Sequence, residues 1–160
     1  MPAPSLSAKG RLMTLCFAYG ANMDRADMRR RCPDATPLGP ARLDGWRFVV
    51  TRDGYASIIR QGGGVVHGVL WQVPPRALAA LDAFEGVSFG LYRRTTLTVR
   101  RGARARRALV YVGRRSPAGR PVRGYLEQVM AAAGAWALPA AYRQQLARWR
   151  RSGPIMDFSS

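Results

Sequence analysis

Glutamate is scarce in this chain: of 160 residues, only Glu85 and Glu127 are glutamate. Glu85 stands in Leu81-Asp82-Ala83-Phe84-Glu85-Gly86-Val87, among apolar neighbours at the end of a short predicted helix. Desolvation there raises a carboxyl pKa, and the negative end of the helix dipole pushes the same way. A carboxyl so raised suits proton transfer near neutral pH. Arg93 and Arg94 follow in the chain and oppose the rise if they lie close. The competing reading is a solvent-exposed glutamate at a helix end, and the residues alone leave the two level. Glu127, near Arg123 on a predicted helix, reads as a solvated face.

The second candidate is Phe17-Ala18-Tyr19-Gly20-Ala21-Asn22, a strand-to-helix turn. Its glycine lets backbone approach a ligand, and free N–H groups at a helix start attract an anion such as a carboxylate. A glycine in such a turn is ordinary, and on these residues alone the ligand-free reading wins. Other chemistry is poorly supported. There is no Gly-x-Ser-x-Gly elbow. A Cys–His pair would need His67, which lies mid-strand and reads as a sheet histidine. A zinc site would have to combine His67, Cys16 and Cys32, one ligand short of four, so no metal is expected. Trp46, Trp71, Trp136 and Trp149 read as core.

The elements that must position these groups follow from periodicity and punctuation. Leu12 to Ala18 reads as a buried strand and Asn22 to Arg31 as a helix, with Asn22 or Asp24 as N-cap and Pro33 beyond its end. Ala41 to Arg52 alternates as a strand. Asp53-Gly54 then turns into Tyr55 to Arg60. Gln61-Gly62-Gly63-Gly64 is expected to be the next hairpin turn, leading to a strand over Val65 to Val73. The triplet opens no helix, so it is not read as a phosphate cradle. Arg76 to Phe84 fits a short amphipathic helix closed by Gly86. Thr95 to Arg101 and Arg106 to Gly113 read as strands across Gly102, Ser116 to Val122 as a loop, and Gly124 to Ala133 and Pro139 to Arg151 as closing helices. Tyr142, Leu146 and Trp149 share one face of the last. The fold class is α+β: one domain with a closed or strongly bent mixed/antiparallel β-barrel and flanking helices. Residues 1–11 are expected to be a disordered lead-in, 12–151 the domain and 152–160 a C-terminal tail.

Composition bounds the function. The formal net charge is +17, from 26 Lys+Arg against 9 Asp+Glu, and Lys9 is the only lysine. Such a balance invites a nucleic-acid partner. The arginines are spread from Arg11 to Arg151 rather than gathered on one element, so the surplus reads as surface composition and no nucleic-acid partner is expected. Two cysteines do not make a disulfide framework, and no apolar run approaches the ~20 residues that span a bilayer. Lys9 and Arg11 before Leu12 to Tyr19 faintly resemble a leader, but no small-x-small ending follows. The expected location is the cytoplasm, without membrane association. Oligomeric state is not legible in these residues.

Taken in order, several segments resemble the γ-glutamylcyclotransferase family. Phe17-Ala18-Tyr19-Gly20-Ala21-Asn22-Met23 is similar to its opening Tyr-Gly-Ser-Asn loop. Gly54-Tyr55-Ala56-Ser57-Ile58 resembles its Gly-x-Ala-x-Ile strand, and Gly68-Val69-Leu70-Trp71 its Gly-Val-x-Trp strand. Leu81-Asp82-x-x-Glu85-Gly86-Val87 with Gly90-x-Tyr92 is similar to the segment holding the family's catalytic glutamate. Tyr111, Tyr125 and Leu138-Pro139-x-x-Tyr142 follow in place, so the likeness runs from about Leu15 to Trp149. Ala21 departs from the usual serine. The Tyr-Gly-x-Asn form also differs from the Tyr-Gly-Ser-Leu form of the glutathione-specific ChaC-type branch.

The resemblance implies an enzyme that cyclises a γ-glutamyl amide to 5-oxoproline and releases an amino acid or amine. Glu85 would be the catalytic proton carrier. Ala18, Tyr19, Gly20, Ala21 and Asn22 would hold the glutamyl group, with Tyr92 and Tyr125 hydrogen-bonding the substrate and Tyr111 a weaker candidate. One carboxyl serves both proton transfers, so no cofactor is implied. Two alternatives stay open: the same fold acting on a γ-glutamylamine or γ-glutamyl-protected metabolite, and a non-catalytic, basic nucleic-acid-binding protein.

Overall fold

The computed structural model describes residues 5–6 and 12–151. The short apolar strand β2 (Leu12–Ala18) is preceded by β1 (Ser5–Leu6), which pairs with its first residues. The rest of the expected lead-in and the tail at 152–160 lie outside the described residues. β2 runs antiparallel to β4 (Ala56–Val73) and meets β6 (Arg104–Gly113) in parallel at Cys16↔Leu109. Between them, β4 pairs with β3 (Thr36–Val50), β3 with β5 (Tyr92–Arg101), and β5 with β6. The order β2-β4-β3-β5-β6 therefore closes on itself through the β2–β6 contact, giving a five-stranded barrel with flanking helices.

The expected turn at Gln61–Gly64 does not exist. β4 runs straight through it as one 18-residue strand. Asp44 pairs with Val65 and Trp46 with Arg60, so four residues of β4 oppose Gly45 alone. Gly45 and Gly63 take positive φ (86° and 77°), and a Cβ on Gly64 would fall 2.5 Å from the Trp46 carbonyl oxygen. The glycines make a wide bulge that bends the ribbon around the barrel without reversing it. β3 likewise starts at Thr36, five residues ahead of expectation, despite Pro37 and Pro40. The named pairing with β5 is at Arg42↔Arg100, past both prolines, so the proline-bearing start of β3 is laddered to β4 with a register shift between Pro37 and Gly39, a position where a strand tolerates proline. β5 also begins early, which brings Tyr92 into the sheet opposite Gly113.

The expected first helix divides. Ala21–Met23 forms a 3-10 turn, and α1 (Arg25–Arg31) starts after Asp24, whose Oδ2 accepts the Asp27 N–H at 2.9 Å. Of the two candidate N-caps, Asp24 caps this helix. Pro75–Ala77 leads into α2 (Leu78–Phe84), which buries Leu78 and Leu81. α3 (Tyr125–Ala135) and α4 (Ala140–Arg151) close the chain, with Tyr142 and Leu146 buried and Trp149 partly buried on one face as read from spacing. Among the described residues no helix is long and apolar enough to cross a membrane.

Candidate active site

At one end of the barrel, the exit of β2, the C-terminus of α2 and the first turn of α3 enclose a cavity of about 470 Å³. Every residue singled out from the sequence lines it: Ala18, Tyr19, Gly20, Ala21 and Asn22 along the loop, then Glu85, Tyr92 and Tyr125. Two glycines make the loop's path possible. A Cβ on Gly68 of β4 would lie 2.2 Å from the Ala18 carbonyl oxygen and 2.9 Å from the Phe17 ring. A Cβ on Gly20 would lie 2.9 Å from the Tyr125 hydroxyl. Because Gly20 opens the 3-10 turn, the N–H groups from Gly20 to Asn22 precede the point where the turn can satisfy them.

The tyrosines form a frame rather than a scatter of hydroxyls. Tyr92 donates to the Ala56 carbonyl at 2.5 Å while Tyr125 Oη accepts the Ala56 N–H at 3.2 Å, so the two peptide units flanking Ala56 are each held by a tyrosine. Tyr19 donates to the Tyr111 carbonyl at 2.5 Å. Burial pushes the Tyr125 phenol up to about 12, against backbone N–H groups of Ala56 and Ala21 that favour its charged form. Burial also raises Tyr19 and Tyr92. All three remain neutral hydrogen-bonding groups at physiological pH. Tyr55 packs edge-on against Tyr125, ring centres 5.1 Å apart.

Glu85 caps the C-terminus of α2, its N–H bonded to the Leu81 carbonyl at 2.9 Å, and Gly86 then turns the chain away at φ 63°. The side chain faces the cavity. Among the described residues no hydrogen bond or ion pair engages its carboxylate, and burial raises its pKa from 4.5 to about 7. The opposing cation is Arg31, not Arg93 or Arg94. Arg94 is committed elsewhere: its Nε and Nη2 reach Asp82 at 2.7 and 2.5 Å, and Tyr111 donates to the same carboxylate at 2.7 Å. Burial pushes Asp82 up, but Arg94 and Tyr111 outweigh it and hold Asp82 below its usual value. Two carboxyls one helical turn apart are thereby driven in opposite directions, a fixed anion and a group able to take and return a proton at neutral pH.

Arg31 was not among the residues singled out. Its Nη1 donates to Asn22 Oδ1 at 2.6 Å and its guanidinium lies 3.6 Å over the Phe84 ring. A signal was available: on α1 it shares the face of the buried Asp27 and Met28, four and three residues earlier. Asp82 was also missed, and Tyr111 was underrated. Its backbone and its hydroxyl both hold partners in the cavity wall.

The rival nucleophiles are separated. The Cys16 thiol is buried and pushed up to about 12, which leaves no thiolate. His67 packs edge-on against Tyr142 at 4.9 Å, and burial lowers its pKa. Glu127 is exposed, as expected for a solvated face.

A family model described as gamma-glutamyl cyclotransferase, AIG2-like, matches residues 16–137. The Bacillus subtilis protein YkqA is 37% identical over 94 residues, 55% of this chain and 34% of its own length. A gamma-glutamylcyclotransferase of Bos taurus is 32% identical over 95 residues, 53% of this chain and 50% of that protein. The chain thus matches half or less of the length of these relatives. A solved gamma-glutamyl cyclotransferase superposes with a TM-score of 0.80 at 23% identity, covering 92% of each chain, a likeness of fold.

Proposed function

The chain belongs to the AIG2-like γ-glutamyl cyclotransferase family, and from that premise we propose that it cyclises a γ-glutamyl amide to 5-oxoproline and releases the attached amino acid or amine. The observation that carries the proposal is Glu85, an unengaged carboxyl held near pKa 7 at a cavity that the Ala18–Asn22 loop also lines.

The chemistry is internal to the substrate. Glu85, as carboxylate, takes a proton from the substrate's α-ammonium. The freed amine attacks the γ-carbonyl carbon, a ring C–N bond forms, and the exocyclic C–N bond breaks. Protons lost by the attacking nitrogen pass through Glu85 to the leaving nitrogen, so the reaction balances without water. A pKa near 7 suits both directions of transfer. The loop would hold the glutamyl group folded back on itself, the main help an intramolecular attack can receive. Its backbone N–H groups would stabilise charge developing on the carbonyl oxygen, a role that Ala21 fills as well as serine. Tyr92 and Tyr125 shape the wall beside the attack and hold the backbone on either side of Ala56. A cytoplasmic γ-glutamyl-peptide substrate and a reaction free of cofactor belong to the same proposal.

The test is mass-spectrometric detection of 5-oxoproline from a panel of γ-glutamyl dipeptides and γ-glutamylamines. Turnover by the wild-type chain and none by a folded Glu85→Gln variant is the expected result. Near-normal turnover by Glu85→Gln removes Glu85 from the mechanism.

A further inference from the structure

A second cavity of about 390 Å³ adjoins the first and shares Tyr55, Leu91 and Tyr92 with it. We propose that it is the subsite for the leaving group, and that Arg114 within it reads a carboxylate carried by that group. The inference rests on the cyclisation proposed above and names its specificity residue.

The shared lining gives the direction. The glutamyl loop and Glu85 line the first cavity, and the second continues from it past Tyr92 and Leu91, which gives the group on the γ-nitrogen a place to lie. Beyond them the lining adds the polar side chains of Thr51, Ser116, Asp53 and Arg114. Its walls are tied down. Arg114 N–H bonds to the Leu91 carbonyl at 3.0 Å, the Arg52 N–H to Ser116 Oγ at 3.1 Å, and Val122 N–H to the Gly54 carbonyl at 3.1 Å. Asp53 also reaches the junction electrostatically. The Tyr92 phenol is raised chiefly by burial, and also by Tyr125, Glu85 and Asp53.

Arg114 is placed to change partners. Its Nη2 is 3.7 Å from Asp53 Oδ2, and both side chains are more than half exposed. An ion pair so long and so exposed holds its members weakly. An incoming carboxylate can take the guanidinium bidentately, a stronger and more directional bond. Asp53 then competes with the ligand instead of assisting it. A γ-glutamyl α-amino acid has such a carboxylate, whereas its amide and a simple γ-glutamylamine do not.

The experiment compares γ-glutamyl-alanine with γ-glutamyl-alaninamide on wild type, Arg114→Gln and Asp53→Asn, reading kcat and KM from 5-oxoproline release. Wild type is expected to favour the acid. Arg114→Gln should lower the acid-to-amide ratio of kcat/KM by about tenfold or more, through KM, as loss of a charge-assisted hydrogen bond does. Asp53→Asn should raise that ratio. An unchanged ratio in Arg114→Gln, or a loss confined to kcat, overturns the subsite while leaving the cyclisation standing. If wild type cyclises neither compound, a carboxylate on the leaving group is not what it reads and the subsite falls, while the wider panel decides the cyclisation separately.

Discussion

Glu85 should destabilise the fold it serves, and the destabilisation should be visible as a pH dependence. Its carboxyl titrates at about 7 in the folded chain against 4.5 for an unperturbed group. Between those values the folded state binds more protons than the unfolded state, so stability falls as pH rises through the window. Above it, the penalty for holding the buried carboxylate is about 3 kcal/mol. Below pH 4.5 both states are protonated and the penalty vanishes. Glutamine matches the protonated form in size and carries no charge at any pH. Glu85→Gln should therefore be more stable than wild type by a few tenths of a kcal/mol near pH 4.5 and by about 3 kcal/mol at pH 8.5. Denaturant unfolding of both proteins across that range measures the difference. Other titrating groups, Asp82 included, are common to both and cancel. A pH-independent gain, or a loss of stability at pH 8.5, refutes the claim that Glu85 is a desolvated carboxyl.

Three further outcomes follow from the same geometry. Arg31→Met removes the cation opposing burial at Glu85, so the rising limb of kcat/KM against pH should move alkaline by about one pH unit, with Arg31→Lys retaining the wild-type limb; an equal loss at every pH means that Arg31 acts only sterically. Gly20→Ala should raise KM severalfold because its Cβ would meet the Tyr125 hydroxyl at 2.9 Å; adding Tyr125→Phe removes that oxygen, and kinetics no better than the sum of the two changes would show that the clash is not the cause. Cys16, buried and pushed up to about 12, should resist iodoacetamide at pH 8 in the folded chain and react once unfolded, as read by intact mass.

How much was legible depended on the range of the interaction. The strand β2, the helix α2 ending at Glu85, and the face of Tyr142, Leu146 and Trp149 on α4 are written in local periodicity, and all appear. The glycine run at 62–64 misled because a reversal and a bulge need the same freedom at φ. Which one forms is decided by the partner strand, 15 or more residues away. Pro37 and Pro40 hid the start of β3 for the same reason, since whether a proline damages a strand depends on which side has a neighbour. In the site, the types of residue were legible and their electrostatic pairings were not. Glu85 stood out by rarity, but nothing along the chain says that Arg94 turns to Asp82 while Arg31 crosses from α1.

That pairing explains how a carboxyl with a pKa near 7 survives in so cationic a chain. With 26 Lys+Arg in the sequence, most of the described aspartates find a guanidinium. Asp27, Asp34, Asp44, Asp53 and Asp82 all do. An arginine locked onto Glu85 would pull its pKa well below neutrality, and a carboxyl that acidic returns protons poorly to a leaving nitrogen. The fold prevents this by committing its arginines elsewhere. Asp82 and Tyr111 hold Arg94, and Asn22 and Phe84 hold Arg31 close enough to oppose burial but engaged away from the carboxylate. Asn22 is thus a positioning residue for Arg31 as well as part of the loop. Asn22→Ala should release Arg31 toward Glu85 and move the rising limb of kcat/KM to lower pH, opposite to Arg31→Met, and the double variant should follow Arg31→Met. A limb that stays in place in Asn22→Ala would mean that the Phe84 contact alone holds the guanidinium back.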